Sequence, residues 1–402
     1  MSESNAQVSA DSIVAFGGID WWYHNRGHSE CQILTRLACE MPVLWINSIG
    51  MRAPSTGKTE LPLRRYWRKL KSTLKGLRRD DDSGMWIYSP LFVPRYTDGW
   101  LRFNGWFLAL QITALRFFLG LKRPAAWVTT PTSVTAVERM RWNQIVFNRS
   151  DEFSKFPEAD HDFIAGLEKR LLALSDDVLY TSHSLMKREE VQCRSAQYLG
   201  HGVDYARFSS ARGEGGPEPL PEALADLPRP IIGFYGALDD YTIDKDLMIE
   251  AARRVPNGTL LVIGPRAMDT TSLEAEPNIR YIGQISYDEI PEHAAAFDVA
   301  LMPWLMNEWI ESSNPIKLRE YLALGFPIVT TSFPELKPYE DLVYAATTRE
   351  EFLGGLDAAL AEQNPERVRA RRASVEHSTW DGLARRVAQL ISDGPMSRDT
   401  PP

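Results

Sequence analysis

The sequence predicts an α/β protein built from two domains, each with a parallel sheet. Two strand–turn–helix–strand units carry this prediction, one in each half of the chain. The first runs through Ser12-Ile13-Val14-Ala15-Phe16, the turn Gly17-Gly18, a helix over His28–Glu40 and the strand Val43–Asn47. The second runs from the apolar Asp298–Pro303 through a helix ending near Leu324 to Ile328–Thr331. Helix-linked parallel strands place ligands outside their carboxyl ends. Between the two units, Ser209–Pro230 is rich in Gly, Pro and Glu and reads as a linker.

Taken in order, the polar residues 1–10 are expected to be disordered, and they lack the basic and apolar regions of a signal peptide. Ser12–Phe16 is a buried strand, and Ile33, Leu34 and Leu37 form one face of the helix that follows. Gly17-Gly18 permits a sharp turn but is no G-x-G-x-x-G, so a dinucleotide site is disfavoured. The loop Asp20-Trp21-Trp22-Tyr23-His24-Asn25-Arg26-Gly27-His28 is dense in aromatic and polar groups. Trp21 and Trp22 could stack on sugar rings, while Asp20, His24, Arg26 and His28 could bond hydroxyls. The competing reading makes the tryptophans core.

Arg64–Arg79 holds eight Lys or Arg residues with Tyr66, Trp67, Leu70, Leu74 and Leu77 interleaved. As a helix it would suit an anionic lipid surface, against the plainer reading of a solvated helix or loop. Asp80-Asp81-Asp82 reads as a charged turn. Trp100–Leu119 is strongly apolar, but Arg102, Asn104, Gln111 and Arg116 argue for a packed helix rather than a membrane span. Trp127–Pro131 and Gln144–Asn148 are the next strands. Asp151 lies just past the second of these, where α/β active sites form, and is the candidate general base; a helix cap is the alternative. Leu167–Leu174 reads as helix and Asp177–Ser182 as strand.

In the second half, Ile231–Tyr235 leads to Gly236, whose lack of a side chain allows close approach to phosphate. Leu260–Ile263 leads to Gly264-Pro265, and Arg280–Gly283 continues the sheet. Asn314 reads as an N-cap and Pro315 as the first helical residue; Gly325 and Pro327 end the helix. Leu318, Tyr321 and Leu322 share its buried face. A helix N-terminus attracts anions, Lys317 adds a full charge for a diphosphate, and Glu320 lies one turn deeper, within reach of sugar hydroxyls. An ordinary capped surface helix is the competing reading. Trp380–Ile391 is the last helix.

These segments resemble the GT-B glycosyltransferases. The strand Asp298–Pro303 fits their D-(V/I)-x-(L/V)-x-P, and Ala323–Val329 fits A-x-G-x-P-(V/I)-(V/I). Asn314–Tyr321 fits the branch that carries N-P-x-K-x-x-E-Y, a surface or teichuronic-type polysaccharide branch. His201-Gly202-Val203-Asp204 with Phe208 fits the element that closes the N-terminal domain. The first Glu of the family's E-x7-E signature would fall at Ser312 and is absent; Glu311 is one place off. Ala237 replaces a diphosphate-binding Arg of other members, and Lys245 stands only loosely where they have Lys.

The resemblance implies two Rossmann-like domains facing across a cleft: 11–208 for the acceptor, 209–230 as linker, 231–375 for the nucleotide sugar. A helix at 376–391 would cross back, and 392–402 would be a disordered tail. It implies donor binding by Gly236, Gly264, Pro265, Asn314, Pro315, Lys317 and Glu320, with Glu320 on the ribose. Asp151, Lys317 and Glu320 would be catalytic, and the loop with Asp20, Trp21, Trp22, His24, Arg26 and His28 would face the acceptor.

Composition narrows the setting. Net charge −8 argues against nucleic-acid binding. Cys31, Cys39 and Cys193 form no metal pattern, and an odd count suits a reducing cytoplasm. No cofactor or metal is expected beyond the nucleotide sugar itself, with a lipid-linked or oligosaccharide acceptor at the inner membrane face. A nucleotide-sugar epimerase of the same fold and a non-catalytic nucleotide-sugar-binding module are the alternatives.

Overall fold

The computed structural model describes residues 9–50, 62–95, 97–157, 159–213, 216–217 and 220–395, without the side chains of 62–66 and 216–217. Residues 1–8 and 396–402 of the two expected disordered ends lie outside this range, as does the start of the basic segment at the level of side chains. The chain divides into two compact units, residues 1–200 with 383–402, and residues 201–382.

The first unit is built on an eight-stranded sheet. Its strands are β1 (Ser12–Phe16), β2 (Val43–Ile46), β3 (Leu77–Arg79), β4 (Trp86–Tyr88), β5 (Pro124–Val128), β6 (Gln144–Arg149), β7 (Asp177–Tyr180) and β8 (Ala196–Tyr198). Their order is β3-β4-β2-β1-β5-β6-β7-β8. Only β3 runs antiparallel to its neighbour. β1 pairs with β2 on one side and β5 on the other, and all five of its residues are buried. A central parallel strand covered on both faces reads as an unbroken apolar run, which is why it was legible in sequence. The helix Asp98–Leu119 buries Leu101, Leu108 and Ile112 and ends at Gly120, whose φ of 70° is the left-handed cap.

Two expectations here need correction. The basic segment is not one helix: it is helical over Pro62–Lys75, turns at Gly76 with φ 58°, and returns as β3 along β4. The strand Trp86–Tyr88 had no signal beyond three residues of suitable type. The last helix continues to Asp393, past the expected start of a disordered tail at Ser392. Val387 and Ile391 on that helix are buried, and Arg386 Nη2 donates to Tyr198 O at 2.9 Å, which anchors the helix on β8.

The second unit opens with the helix Tyr205–Ser210 and a small hairpin, β9 (Arg212–Gly213) with β10 (Gly216–Pro217). Its main sheet is entirely parallel: β11 (Ile231–Tyr235), β12 (Thr259–Ile263), β13 (Ile279–Gly283), β14 (Val299–Met302), β15 (Ile328–Thr331) and β16 (Tyr344–Ala346). The order β13-β12-β11-β14-β15-β16 reverses direction between β11 and β14. Loops on either side of such a reversal splay apart and leave a crevice at the strand ends. The loops after β11, β12 and β14 meet at that end, joined by the bridges Leu238–Arg266 and Ile243–Trp304.

The helix Ile316–Leu324 sits beside that crevice. Pro315 occupies the N-cap position, one residue later than the sequence pattern placed it, and Gly325 closes the helix with φ 87°. Asn314 thus precedes the N-cap position. Its carboxamide oxygen accepts from the buried Arg319 Nη1 at 2.8 Å, a charge-assisted bond one turn along the helix. Leu318, Tyr321 and Leu322 are fully buried, each contributing about 1.5–3 kcal/mol of apolar burial.

Candidate functional site

In the second unit the ends of β11 and β12 meet the first turn of the helix Ile316–Leu324. Gly236 follows β11 with φ 141°, and Gly264 follows β12 with φ 147°, both in the region that side chains avoid. The two backbones abut: a Cβ on Gly264 would collide with Gly236 O, and a Cβ on Gly236 would collide with Lys317 Nζ. Lys317 is thereby laid along bare backbone. Its ammonium lies 4.5 Å from the centroid of the Phe234 ring and 5.9 Å from that of Trp304. Desolvation lowers its pKa from 10.5 to about 8, partly opposed by the charges of Asp239 and Glu320. Asp239 itself is tied into its turn by Tyr241 N, Thr242 N and the Thr242 hydroxyl. Pro265 is adjacent, its carbonyl accepting from Leu238 N at 3.0 Å.

Glu320 is 3% exposed. Tyr235 donates its hydroxyl to Oε2 at 2.5 Å, and Tyr287 donates to Oε1 at 2.9 Å. Burial raises the carboxyl pKa against those two hydrogen bonds and Lys317. The expected ribose contact is thus occupied by two phenols, so the carboxylate meets a ribose only if one of them yields. Lys245 lies apart from this group, donating to Asp269 O at 3.4 Å.

In the first unit the loop Asp20–His28 divides into a structural and an open part. Trp21 is 2% exposed, packs on Trp45 at 5.3 Å, and spends its indole N–H on Asp80 Oδ1 at 3.1 Å. Its ring has no open face, so it is core, and the expected acceptor contact is withdrawn. Asp20 is buried and pairs with Lys69 at 3.6 Å. Arg26 covers Trp21 at 4.6 Å and pairs with Asp80 and Asp82. Trp22 is half-buried, with Lys75 Nζ 4.1 Å from its ring and its indole on Ser89. His24 and His28 are exposed. Asp80 is no mere charged turn: burial opposes its ionisation, yet the Ser83 and Trp21 hydrogen bonds and Arg26 outweigh it and hold its pKa low.

Asp151 lies just past β6, half-buried, and its carbonyl accepts from Arg149 Nη1 at 2.8 Å. Arg149 is itself fully buried between Glu168 and Glu189. The residue that sequence reading missed is Glu30. It is buried in the second position of its helix, and its carboxylate accepts from Gly18 N at 3.0 Å. Burial raises its pKa to about 7, opposed by hydrogen bonds from Thr129 and Gly18, with Asp151 adding repulsion. The nearby Gly17-Gly18 turn was the available signal, but nothing in the sequence said which downstream residue would fill it.

Residues 229–362, most of the second unit, match the family described as Glycosyl transferases group 1. A Bacillus subtilis (strain 168) protein named as a teichuronic acid biosynthesis glycosyltransferase, TuaH, is 23% identical over 287 residues, 66% of this chain and 71% of that one. The fold extends the likeness to the whole chain. Sucrose-phosphate synthase from Thermosynechococcus elongatus superposes with TM-score 0.68 at 15% identity, over 94% of this chain and 98% of its own. The chain has the GT-B fold, and residues 229–362 carry the group 1 glycosyltransferase domain. Anabaena HepE, solved in complex with UDP and glucose, gives TM-score 0.63 at 13% identity, over 95% of this chain and 99% of its own.

For a glycosyltransferase, the second unit offers the needed parts: a cation half-stripped of water, two glycines without side chains, and a helix N-terminus aimed at the same crevice. Sequence reading named Lys317, Gly236 and Gly264. It missed Phe234 and Trp304, which tune the lysine, and Tyr235 and Tyr287, which hold Glu320. Tyr235 directly precedes Gly236, so its place at the strand end was readable; Tyr287 comes from a distant turn and carried no local mark.

Proposed function

We propose that this glycosyltransferase moves a sugar from a nucleoside-diphosphate donor, UDP-linked in the simplest case, to a hydroxyl of a lipid-linked or surface polysaccharide at the inner face of the cell membrane. The observation that carries the reading is Lys317 laid against Gly236 beside Gly264. Departure of a nucleoside diphosphate builds negative charge on its β-phosphate. Lys317 and the first N–H groups of the helix Ile316–Leu324 would stabilise that charge without a metal ion. The donor diphosphate, once bound, would raise the pKa of a lysine that has fallen to about 8 and hold it fully charged.

Asp151 would accept the proton of the attacking hydroxyl, with Glu30 close enough to feel its charge. Glu320 would fix the two tyrosines that floor the pocket and meet the ribose after one of them turns away. The UDP in the HepE complex and the teichuronic acid in the name of TuaH support donor class and acceptor class respectively.

The test is a turnover assay with labelled UDP-sugars, membrane lipid extract as acceptor, and EDTA present. Transfer into the lipid fraction with release of UDP is expected, and Lys317→Ala should lose it. An epimerase would instead interconvert the labelled donor without acceptor. Binding without turnover of any donor would favour the sensor reading.

A further inference from the structure

Two helices of the first unit turn apolar stripes outward. On Asp98–Leu119, Phe103, Trp106, Leu110 and Phe117 follow one another at helical spacing and are 42%, 53%, 55% and 91% exposed. The rings of Phe103 and Trp106 lie 6.0 Å apart, so the stripe is continuous. The opposite face of the same helix is core, which fixes the stripe's direction. On Pro62–Lys75, Trp67, Leu70 and Leu74 again fall at helical spacing and are exposed, while Ser72 on the other side is buried. An amphipathic helix normally buries its apolar face. Here apolar residues also line the face turned away from the core.

The segment between the helices ties the inward side of Pro62–Lys75 to the helix Asp98–Leu119. Ser72 and Ser89 share a hydrogen bond of 3.0 Å, and Lys69 Nζ lies 5.3 Å from the Phe92 ring. At the other end Gln111 clamps Leu91 through both its amide groups, and Asn104 does the same to Val93. Leu91 between them is 54% exposed. Two helical stripes and Leu91 together expose more apolar side chain on this unit than the singly scattered apolar residues of an ordinary surface.

Charge selects the occupant. Residues 62–79 contain eight Lys or Arg and no Asp or Glu, in a chain whose net charge is −8. Arg68, Lys71, Arg95 and Arg102 are exposed beside the stripes. Aromatic rings flanked by cations are the pattern of a helix lying in the headgroup region of an anionic bilayer. Among the described residues no helix is long and apolar enough to cross a membrane, so the surface rests in one leaflet. We infer that this face docks the first unit on an anionic lipid bilayer, with the helix Asp98–Leu119 lying in the interface and Pro62–Lys75 supplying charge. The inference gives the membrane setting proposed above a specific surface and rests on that setting; the donor pocket is not part of it.

The experiment is flotation of the full chain with vesicles of phosphatidylcholine alone or mixed with phosphatidylglycerol, at low and high salt. Melting temperature and UDP-induced thermal shift are recorded on the same samples. The intact chain is expected to float with the phosphatidylglycerol vesicles and to be released in part by salt. Phe103→Ser/Trp106→Ser/Phe117→Ser should weaken flotation about tenfold or more while leaving the melting temperature and the UDP response in place. Arg68→Gln/Lys71→Gln should lose the preference for phosphatidylglycerol. Failure of the intact chain to float, or flotation of the triple variant equal to the intact chain, overturns the inference. So does a triple variant that floats normally but changes from dimer to monomer, which would assign the face to a second copy. A lost UDP response with intact flotation would count against the donor reading alone.

Discussion

Replacing Lys317 with methionine should stabilise the unliganded protein while abolishing its response to donor nucleotide. The lysine pKa falls from 10.5 to about 8 on folding. At about 1.4 kcal/mol per unit this is a cost near 3.5 kcal/mol for keeping the charge in place. Part of the side chain remains open to solvent, and screening trims the cost to roughly 2 kcal/mol. Methionine keeps the apolar contact with Phe234 and Trp304 but loses the cation's attraction to the rings, about 0.5–1 kcal/mol. The net gain is about 1–1.5 kcal/mol, or roughly 3–6 °C in the transition of a unit this size. Because the folded pKa lies below the unfolded one, the wild type carries the full cost below pH 8 and sheds it between pH 8 and 10.5. The variant's advantage should therefore be largest at neutral pH and fade over that window. Scanning calorimetry of both proteins from pH 6.5 to 10.5, with and without UDP, reads both effects. A variant less stable than wild type at pH 7 would refute the reasoning, because it would make the charge a structural partner rather than one held ready for a ligand.

Four further outcomes follow. Gly236→Ala places a methyl on Lys317 Nζ at a strained φ and should weaken UDP binding about tenfold or more by titration calorimetry. Glu30 has its pKa raised to about 7 from 4.5, so ionisation destabilises the fold as pH rises through that interval. Glu30→Gln should thus gain on wild type in urea midpoint at pH 8 but not at pH 5. Trp21→Ala should cost about 3–5 kcal/mol of stability in urea unfolding and leave the acceptor KM of the folded fraction alone. Asp151→Asn should retain UDP binding and lose turnover by about a hundredfold or more; retained turnover would remove Asp151 from the mechanism.

What could be read in the sequence follows a physical divide. β1, β11, β12 and β15 are central strands buried on both faces, and such strands announce themselves as apolar runs. β3, β4 and β16 lie at or near the sheet edges and are only three residues long, too short for a periodic signal. The helix Ile316–Leu324 was legible from Gly325 and its buried face, but it starts one residue later than expected because Pro315 keeps an extended ψ of 127° at the N-cap position. Lys317 with Gly236 and Gly264 was legible because each residue type suits a phosphate. The Glu30 carboxylate and the tyrosine pair on Glu320 were not, since burial of a polar group is settled by tertiary packing. The Asp20–His28 loop misled for a related reason: Trp21 is aromatic and in a loop, yet its indole closes the corner over Trp45 and Asp80.

The most direct test is the crystal structure of the full chain with UDP. The account predicts the diphosphate within about 3.5 Å of Lys317 Nζ, over Gly236 and at the start of the helix Ile316–Leu324. A diphosphate bound elsewhere in the second unit, with Lys317 still lying against the Phe234 ring and touching no phosphate oxygen, would contradict it.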